Sequence, residues 1–233
     1  MELKEIINTD SSLMERFKDS APGTYKHCLA VADLCGCVSK DLGLNTDALV
    51  IAATLHDVGK CNNPQFFFEN LGDDKNPHDD LDPKASQQII SRHVSDSVLR
   101  LVQVDAPTEV TRIVSEHHGD TIVRSIYNKA KEVYNGSTVE DHYRYKSLRP
   151  TSVESAVLMC ADVVESACRA LFNNNKLEDH KNVINTLIDG LTEDEQLDIL
   201  KIGELRVIKK ILTSEIKDVY HKRLDYDVEE NKV

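Results

Sequence analysis

The chain has 233 residues and a formal net charge of −12, from 28 basic and 40 acidic side chains. That length supports one sizeable domain with a core of its own, or at most two small ones, and the acidic balance argues against nucleic-acid duplexes and anionic lipid as partners. The longest clean apolar run, Ala48 to Leu55, falls well short of the ~20 residues a membrane helix needs. Met1 to Lys4 does not begin a signal peptide, so a cytoplasmic protein is expected.

Residues 1–20 read as an amphipathic lead-in helix, with Leu3, Ile6 and Ile7 and then Leu13, Met14 and Phe17 on one face. Ala21-Pro22-Gly23-Thr24 breaks it, with Thr24 as the expected N-cap of the next helix. In that helix His27, Ala30, Val31 and Leu34 share the apolar face. The run Ala48 to Leu55 then places Leu49, Ala52, Ala53 and His56 at i, i+3, i+4 and i+7, so His56 continues a buried face and Asp57 follows it directly. Gly59 is the expected stop for this helix.

The stretch Cys61 to Leu81 is irregular and carries Phe66, Phe67 and Phe68, best read as a plug that seats the loop on the core rather than as a base-stacking platform. Asp82-Pro83 opens another helix with a cap and an N1 proline, and along it Ala85, Ile89 and His93 align. After a break at 105–107, Val110, Ile113, Val114, His117 and His118 form one stripe that ends before Gly119. A further helix is expected over 121–135 and a polar loop from Asn135 to Pro150. In the next helix Ala156 to Val164 is apolar except for Asp162 and a thiol. Two or three more helices fill 178–226, ahead of an acidic, frayed tail over 227–233. Strand signals are nearly absent, so the fold is expected to be all-α. The six cysteines form no Cys-x-x-Cys pair and read as reduced thiols.

Five of the nine histidines, His27, His56, His93, His117 and His118, thus lie on apolar helix faces, joined by Asp57 and Asp162 in equally dry settings. Unpaired, each would be costly to bury. A shared metal centre resolves all seven at once. Imidazole and carboxylate without thiolate suits first-row divalent ions, and seven donors exceed the needs of one tetrahedral ion. Two ions fit if a carboxylate bridges, and Asp57 is the natural bridge. His78, His142, His180 and His221 lie in polar contexts and are expected to face solvent or serve structure.

The order His27, His56-Asp57, His93, His117-His118, Asp162 resembles the HD-domain phosphohydrolase superfamily. More narrowly it is similar to the cytoplasmic HD domain of the seven-transmembrane HD receptors, the PgpH-type cyclic di-AMP phosphodiesterases. The likeness rests on APGTYKH (21–27), HDVGK (56–60), PQFFFEN followed by NPHDDLDP (64–83), SQQIISRHV (86–94), HHGDT (117–121), IYNKA (126–130), HYRY (142–145), ESAVLMCADVVESACR (154–169) and YHKRLDY (220–226).

The resemblance implies an HD-domain helical bundle over 21–226 with a dinuclear centre of two divalent transition-metal ions, iron or manganese foremost. One would be held by His27, His56, Asp57 and Asp162, the other by Asp57, His93, His117 and His118. It implies phosphodiester hydrolysis by a metal-bridging hydroxide, with Asp57 and Lys60 catalytic and Lys60 stabilising a non-bridging phosphate oxygen; on its own Lys60 could equally be a cation answering a helix dipole. Tyr127 and Arg144 match family positions near the substrate pocket. The implied substrate is a small cyclic dinucleotide, cyclic di-AMP, and the product is 5'-pApA.

The chain departs from the family in lacking its membrane and extracellular regions, as an excised domain or a free-standing relative would. It also carries Lys146-Ser147-Leu148-Arg149-Pro150 where the family has a Gly-Pro segment after Arg-Tyr. The alternatives are another HD phosphohydrolase activity, on a guanosine alarmone or a nucleoside monophosphate, and a non-catalytic nucleotide sensor. The extra His93, His117 and His118 speak against the first, and the complete donor set against the second. Cyclic di-GMP hydrolysis of the HD-GYP kind is disfavoured because Gly119-Asp120-Thr121 follows the histidine pair. Oligomeric state is not legible.

Overall fold

Apolar stripes at helical spacing can be buried only against one another, and here they close into a helical bundle. The computed structural model describes residues 11–72, 74–173 and 180–230. Its helices are α1 (Ser11–Ser20), α2 (Pro22–Leu42), α3 (Thr46–Leu55), α4 (Pro83–Gln103), α5 (Thr108–Glu116), α6 (Arg124–Val133), α7 (Val153–Asn173), α8 (His180–Glu193) and α9 (Ile202–Glu230). Among the described residues there is no strand, and the isolated antiparallel bridge between Ile122 and Arg144 is the closest approach to one. The all-α expectation holds.

α2 lies at the centre, packed against α3, α7 and α9, while α5 bridges α3, α4 and α7. Leu34, Leu49, Leu55, Ile113, Leu158, Met159, Ile184 and Ile208 fill the space between them. Local chemistry sets the helix starts. The Asn45 side chain accepts from the Ala48 N–H at 3.2 Å. Asp82 accepts from the Lys84 N–H at 2.9 Å ahead of Pro83, as its sequence suggests.

Several boundaries differ from the sequence reading. Thr24 is not an N-cap: α2 starts at Pro22, and Thr24 sits inside its first turn with its N–H on Asn70 Oδ1 at 3.1 Å, because the Phe loop supplies the partner. Of the lead-in helix, α1 is described, and its Leu13 and Phe17 are buried in the same core; Leu3, Ile6 and Ile7 lie outside the described residues. The expected polar loop over 135–150 contains a short 3-10 turn, Glu140–Tyr143, whose Tyr143 is fully buried against Ile126 and Ala130. α9 runs on to Glu230, into the expected tail; residues 231–233 lie outside the described residues.

Gly59 does not stop α3, which ends at Leu55. It lies in the 3-10 turn Val58–Asn62, which packs on α4. A Cβ there would stand 2.3 Å from the His93 carbonyl oxygen and 2.5 Å from the Ser97 nitrogen, both backbone atoms that cannot rotate away. Gly59→Ala must therefore pry the His56-Asp57 turn off the helix bearing His93. We expect a loss of about 3 kcal/mol or more in urea unfolding, at the top of the range for overpacking. Wild-type stability in this variant would show that the two segments separate easily.

Candidate metal centre

Each of the seven expected donors reaches one place because an apolar stripe carries it inward. His56 and His117 stand at the C-terminal ends of α3 and α5, His93 inside α4, His27 on α2 and Asp162 midway along α7. His118 follows His117. Donor atoms of Asp57, His93, His117 and His118 lie within 4.8 Å of one another, and so do those of His27, His56 and Asp57, and of His56, His117 and Asp162.

Asp57 is the shared member. Its Oδ1 lies 3.1 Å from His93 Nε2 and 3.8 Å from His117 Nε2. Its Oδ2 lies 3.3 Å from His56 Nε2 and 3.9 Å from His27 Nε2. Asp162 faces the same group from α7, with Oδ1 3.0 Å from His27 Nε2 and Oδ2 3.7 Å from His118 Nδ1.

The outer nitrogens explain why the inner ones point inward. His56, His93 and His117 each turn Nδ1 to the carbonyl three residues back, on Ala53 at 2.7 Å, Ile90 at 2.6 Å and Val114 at 2.6 Å. A carbonyl can only accept, so each Nδ1 carries a proton and each Nε2 is the nitrogen turned inward, the one that a cation would take once it is unprotonated. On His27 the buried carboxylate of Glu165 does the same job at Nδ1. The sequence reading missed Glu165, although it lies one helical turn past Asp162 and a buried histidine needs a partner on both nitrogens.

With no cation bound, the charges are unevenly held. Burial works against protonating His27, but Glu165 and Asp162 outweigh it and raise the imidazole to about 9. Burial, reinforced by His56, pushes His117 down to about 3, and burial with His117 lowers His118. Asp57 is held well below the carboxylate range despite its burial, by Lys60, His56 and His93. His56 Nε2 and Asp57 Oδ1 are buried without a hydrogen-bond partner among the described residues. Orphaned polar atoms in a dry pocket are costly, and a divalent cation answers both. The donor set, imidazole and carboxylate, fits such an ion.

Lys60 lies at the rim, its Nζ 2.7 Å from Asp57 Oδ2 and 2.8 Å from Glu69 Oε1, above the Phe67 ring. Glu69, also absent from the sequence reading, is fixed by the Thr24 hydroxyl at 2.9 Å. Its loop can sit so close because Gly23 has no side chain: a Cβ there would meet the Glu69 carbonyl oxygen at 1.8 Å. Burial raises the Glu69 carboxyl, but Lys60 overrides it and holds the group down at about 2. A depressed carboxyl contributes stability that is full above the unfolded value near 4.5 and lost as pH falls toward about 2. Glu69→Gln is therefore expected to lower the melting temperature of the metal-free protein more at pH 7 than at pH 3. Equal loss at both would mean the ion pair contributes nothing.

Beside the centre opens a cavity of about 760 Å³, lined by Phe67, Glu69 and Tyr145 and, among others, by Lys129 and Arg169. Tyr145 stacks on His118 with centroids 4.2 Å apart, and Phe67 meets His93 edge-on at 5.7 Å. Of the three phenylalanines Phe67 is the buried plug, whereas Phe68 is 75% exposed. Tyr127 and Arg144 are not brought to this wall. Tyr127 packs on Tyr143. The Arg144 guanidinium is clamped by Asp194 at 2.7 and 3.0 Å and Glu140 at 3.1 Å. That clamp fixes the segment from which Tyr145 donates its N–H to the Thr121 carbonyl at 2.9 Å, so the arginine supports the site from behind. His78 and His180 are buried, the structural of the two alternatives, and His142 is exposed. The polar neighbours of His78 hide that its ring sits beside Phe66 with Nε2 donating to the Phe66 carbonyl at 3.0 Å. The His221 side chain lies outside the described residues.

The HD domain family model matches residues 24–167, a span that runs from just before His27 to just past Asp162. The chain belongs to the HD-domain family. HD domains bind divalent metals, and this one gathers the histidines and aspartates to do so. It is 34% identical over 234 residues to the cyclic-di-AMP phosphodiesterase PgpH of Bacillus subtilis, covering 100% of this chain and 33% of that protein. The chain thus spans about a third of the length of the curated relatives it matches. Among solved structures, the PgpH HD domain of L. monocytogenes superposes with a TM-score of 0.82 at 30% identity, covering 91% of this chain and 100% of that one. The same HD domain in complex with cyclic di-AMP gives 0.82 at 31% identity over 89% and 97% of the two chains. No described helix of this HD domain is long and apolar enough to cross a membrane.

Proposed function

We propose that this HD domain hydrolyses a cyclic dinucleotide, foremost cyclic di-AMP to 5'-pApA, and that residues 21–226 form the unit that does so, in the cytoplasm. The observation that carries the reading is Asp57, whose two carboxylate oxygens face two different groups of imidazoles beside a cavity of about 760 Å³, within the ~300–1,000 Å³ of small-molecule sites. The PgpH relative named for this activity, and the solved HD domain that holds cyclic di-AMP, support the choice of substrate.

On this reading His27, His56, Asp57 and Asp162 hold one divalent ion and Asp57, His93, His117 and His118 the other, with iron or manganese suited to the donor set. Bound there, the ions supply Lewis acidity to water and to the phosphate oxygens. The protein's own groups do the rest. The Ala53, Ile90 and Val114 carbonyls and Glu165 hold the outer nitrogens and so aim the inner ones at the ions. Lys60, kept charged by Asp57 and Glu69 despite burial, offers its ammonium to a non-bridging phosphate oxygen drawn beside Asp57. Phe67 and Tyr145 wall the centre from bulk water, which strengthens each of these interactions.

The test is to load purified protein with manganese or ferrous iron and incubate it with cyclic di-AMP, cyclic di-GMP and a guanosine alarmone in parallel, resolving products by chromatography. The expected result is 5'-pApA from cyclic di-AMP alone. No turnover of any substrate, with two ions bound per chain, would sink the proposal.

A further inference from the structure

Hydrolysis of a phosphodiester consumes one water: its oxygen bonds to phosphorus, the bond from phosphorus to a sugar oxygen breaks, and one of the water's protons ends on that oxygen. In a cyclic dinucleotide opened to a 5'-phosphate the leaving atom is the ribose 3'-oxygen, a strongly basic alkoxide as it departs. A hydrogen-bond donor facing it lowers the barrier. Lys60 is committed elsewhere, held by Asp57 at 2.7 Å and Glu69 at 2.8 Å beside the non-bridging oxygen. Lys129 lines the cavity, but its three protons go to the carbonyls of His78, Asp79 and Leu81.

Tyr145 joins the centre to the cavity. Its ring stacks on His118 at 4.2 Å and stands edge-on to His93 at 6.1 Å, and the residue lines the cavity of about 760 Å³. Its backbone N–H is fixed on the Thr121 carbonyl at 2.9 Å. Tyr145 is only 8% exposed, yet its hydroxyl has no hydrogen-bond partner among the described residues. A phenol so buried ordinarily has one. Burial raises this hydroxyl, Lys60 pulls it back, and Asp57, Asp162 and Glu69 act on it next. The charges that bear on it are thus those of the centre. A phenol is un-ionised at neutral pH and can donate.

We propose that the Tyr145 hydroxyl donates a hydrogen bond to the leaving 3'-oxygen and stabilises the negative charge that builds there, which makes Tyr145 a catalytic residue. In-line displacement sends the departing oxygen away from the attacking one, and the cavity with Tyr145 on its wall is the space open to it. The proton that the 3'-oxygen finally keeps comes, in balance, from the consumed water. This rests on the phosphodiesterase reading above.

Tyr145→Phe removes the oxygen and keeps the ring on His118. The experiment compares this variant with the wild type, both metal-loaded, on cyclic di-AMP and on bis(p-nitrophenyl) phosphate, whose p-nitrophenolate leaves without a donor. Metal content per chain is measured on both proteins. On cyclic di-AMP kcat is expected to fall about thirtyfold or more, the worth of a hydrogen bond to a charged group, with KM within about threefold. On the activated diester the change should stay under about threefold, and metal content should equal that of the wild type. An equal fall on both diesters would overturn the proposal, because a ring that merely steadies His118 matters whatever leaves. An unaltered kcat on cyclic di-AMP, a loss confined to KM, or a loss of bound metal would overturn it too. If the wild type cleaves the activated diester but not cyclic di-AMP, the substrate reading fails, and diphenyl phosphate, with its more basic leaving group, takes the place of cyclic di-AMP in the same comparison. If the wild type cleaves no diester, the phosphodiesterase reading fails and the role of Tyr145 falls with it.

Discussion

Asp57→Asn is expected to lower kcat/KM for cyclic di-AMP by a factor of about 10³ or more. Loss of an outer-shell partner at a metal site typically costs ~10–100-fold, and Asp57 is more deeply engaged than that. Its Oδ1 serves His93 and His117 while its Oδ2 serves His56 and Lys60, at 2.7 to 3.8 Å. Asparagine keeps the shape but replaces one oxygen by a donor NH₂, which cannot ligate a cation and would point at an imidazole or at the Lys60 ammonium. The neutral side chain also strips one charge from a fully buried cluster. The fold should survive, because Lys60 retains Glu69 at 2.8 Å. Metal analysis beside circular dichroism separates the cases: a folded variant with fewer than two ions per chain and no turnover is the expected outcome. Retention of two ions and of activity would show that Asp57 does not join the two halves of the site.

Chelation should be as drastic for stability. Binding to the folded state alone contributes about 4 kcal/mol per ion at a thousandfold excess over Kd, and a chain of 233 residues shifts its melting temperature by ~2–4 °C per kcal/mol. Two ions thus predict a fall of order 15 °C or more on removing metal. The pH dependence has a definite sign. In the metal-free protein His27 is raised from 6.5 to about 9, so its contribution is full below 6.5 and is lost as pH rises through about 9. Metal binding needs the same imidazole deprotonated, so it strengthens over that window. Both effects widen the gap between loaded and stripped protein from pH 6.5 to 9. A gap that narrows over this range would remove His27 from the ligand set.

The side chains that cluster were legible because burying an imidazole or a carboxylate is costly and the helical period shows which residues are buried. His27, His56, His93 and His117 each extend an apolar stripe, and Asp162 interrupts one, so their polarity stands out against the pattern. Glu165 was hidden by its neighbour, since a carboxylate one turn from Asp162 carries no separate periodic signal. Glu69 was hidden in an irregular loop, where no period says what is buried. Arg144 and Tyr127 were placed near the pocket by likeness of motif, but a motif does not say which way a long side chain turns; Asp194, some fifty residues on, draws the Arg144 guanidinium away from the cavity.

The sequence by itself determined the all-α class and the set of side chains that converge, because both follow from local spacing and from the cost of burying polar groups. Only the tertiary structure decided which oxygen of Asp57 faces which imidazoles, that Glu165 aims His27, and that Tyr145 stacks on His118. Those are contacts between segments from about thirty to well over a hundred residues apart, and no local pattern encodes a distance that packing alone sets.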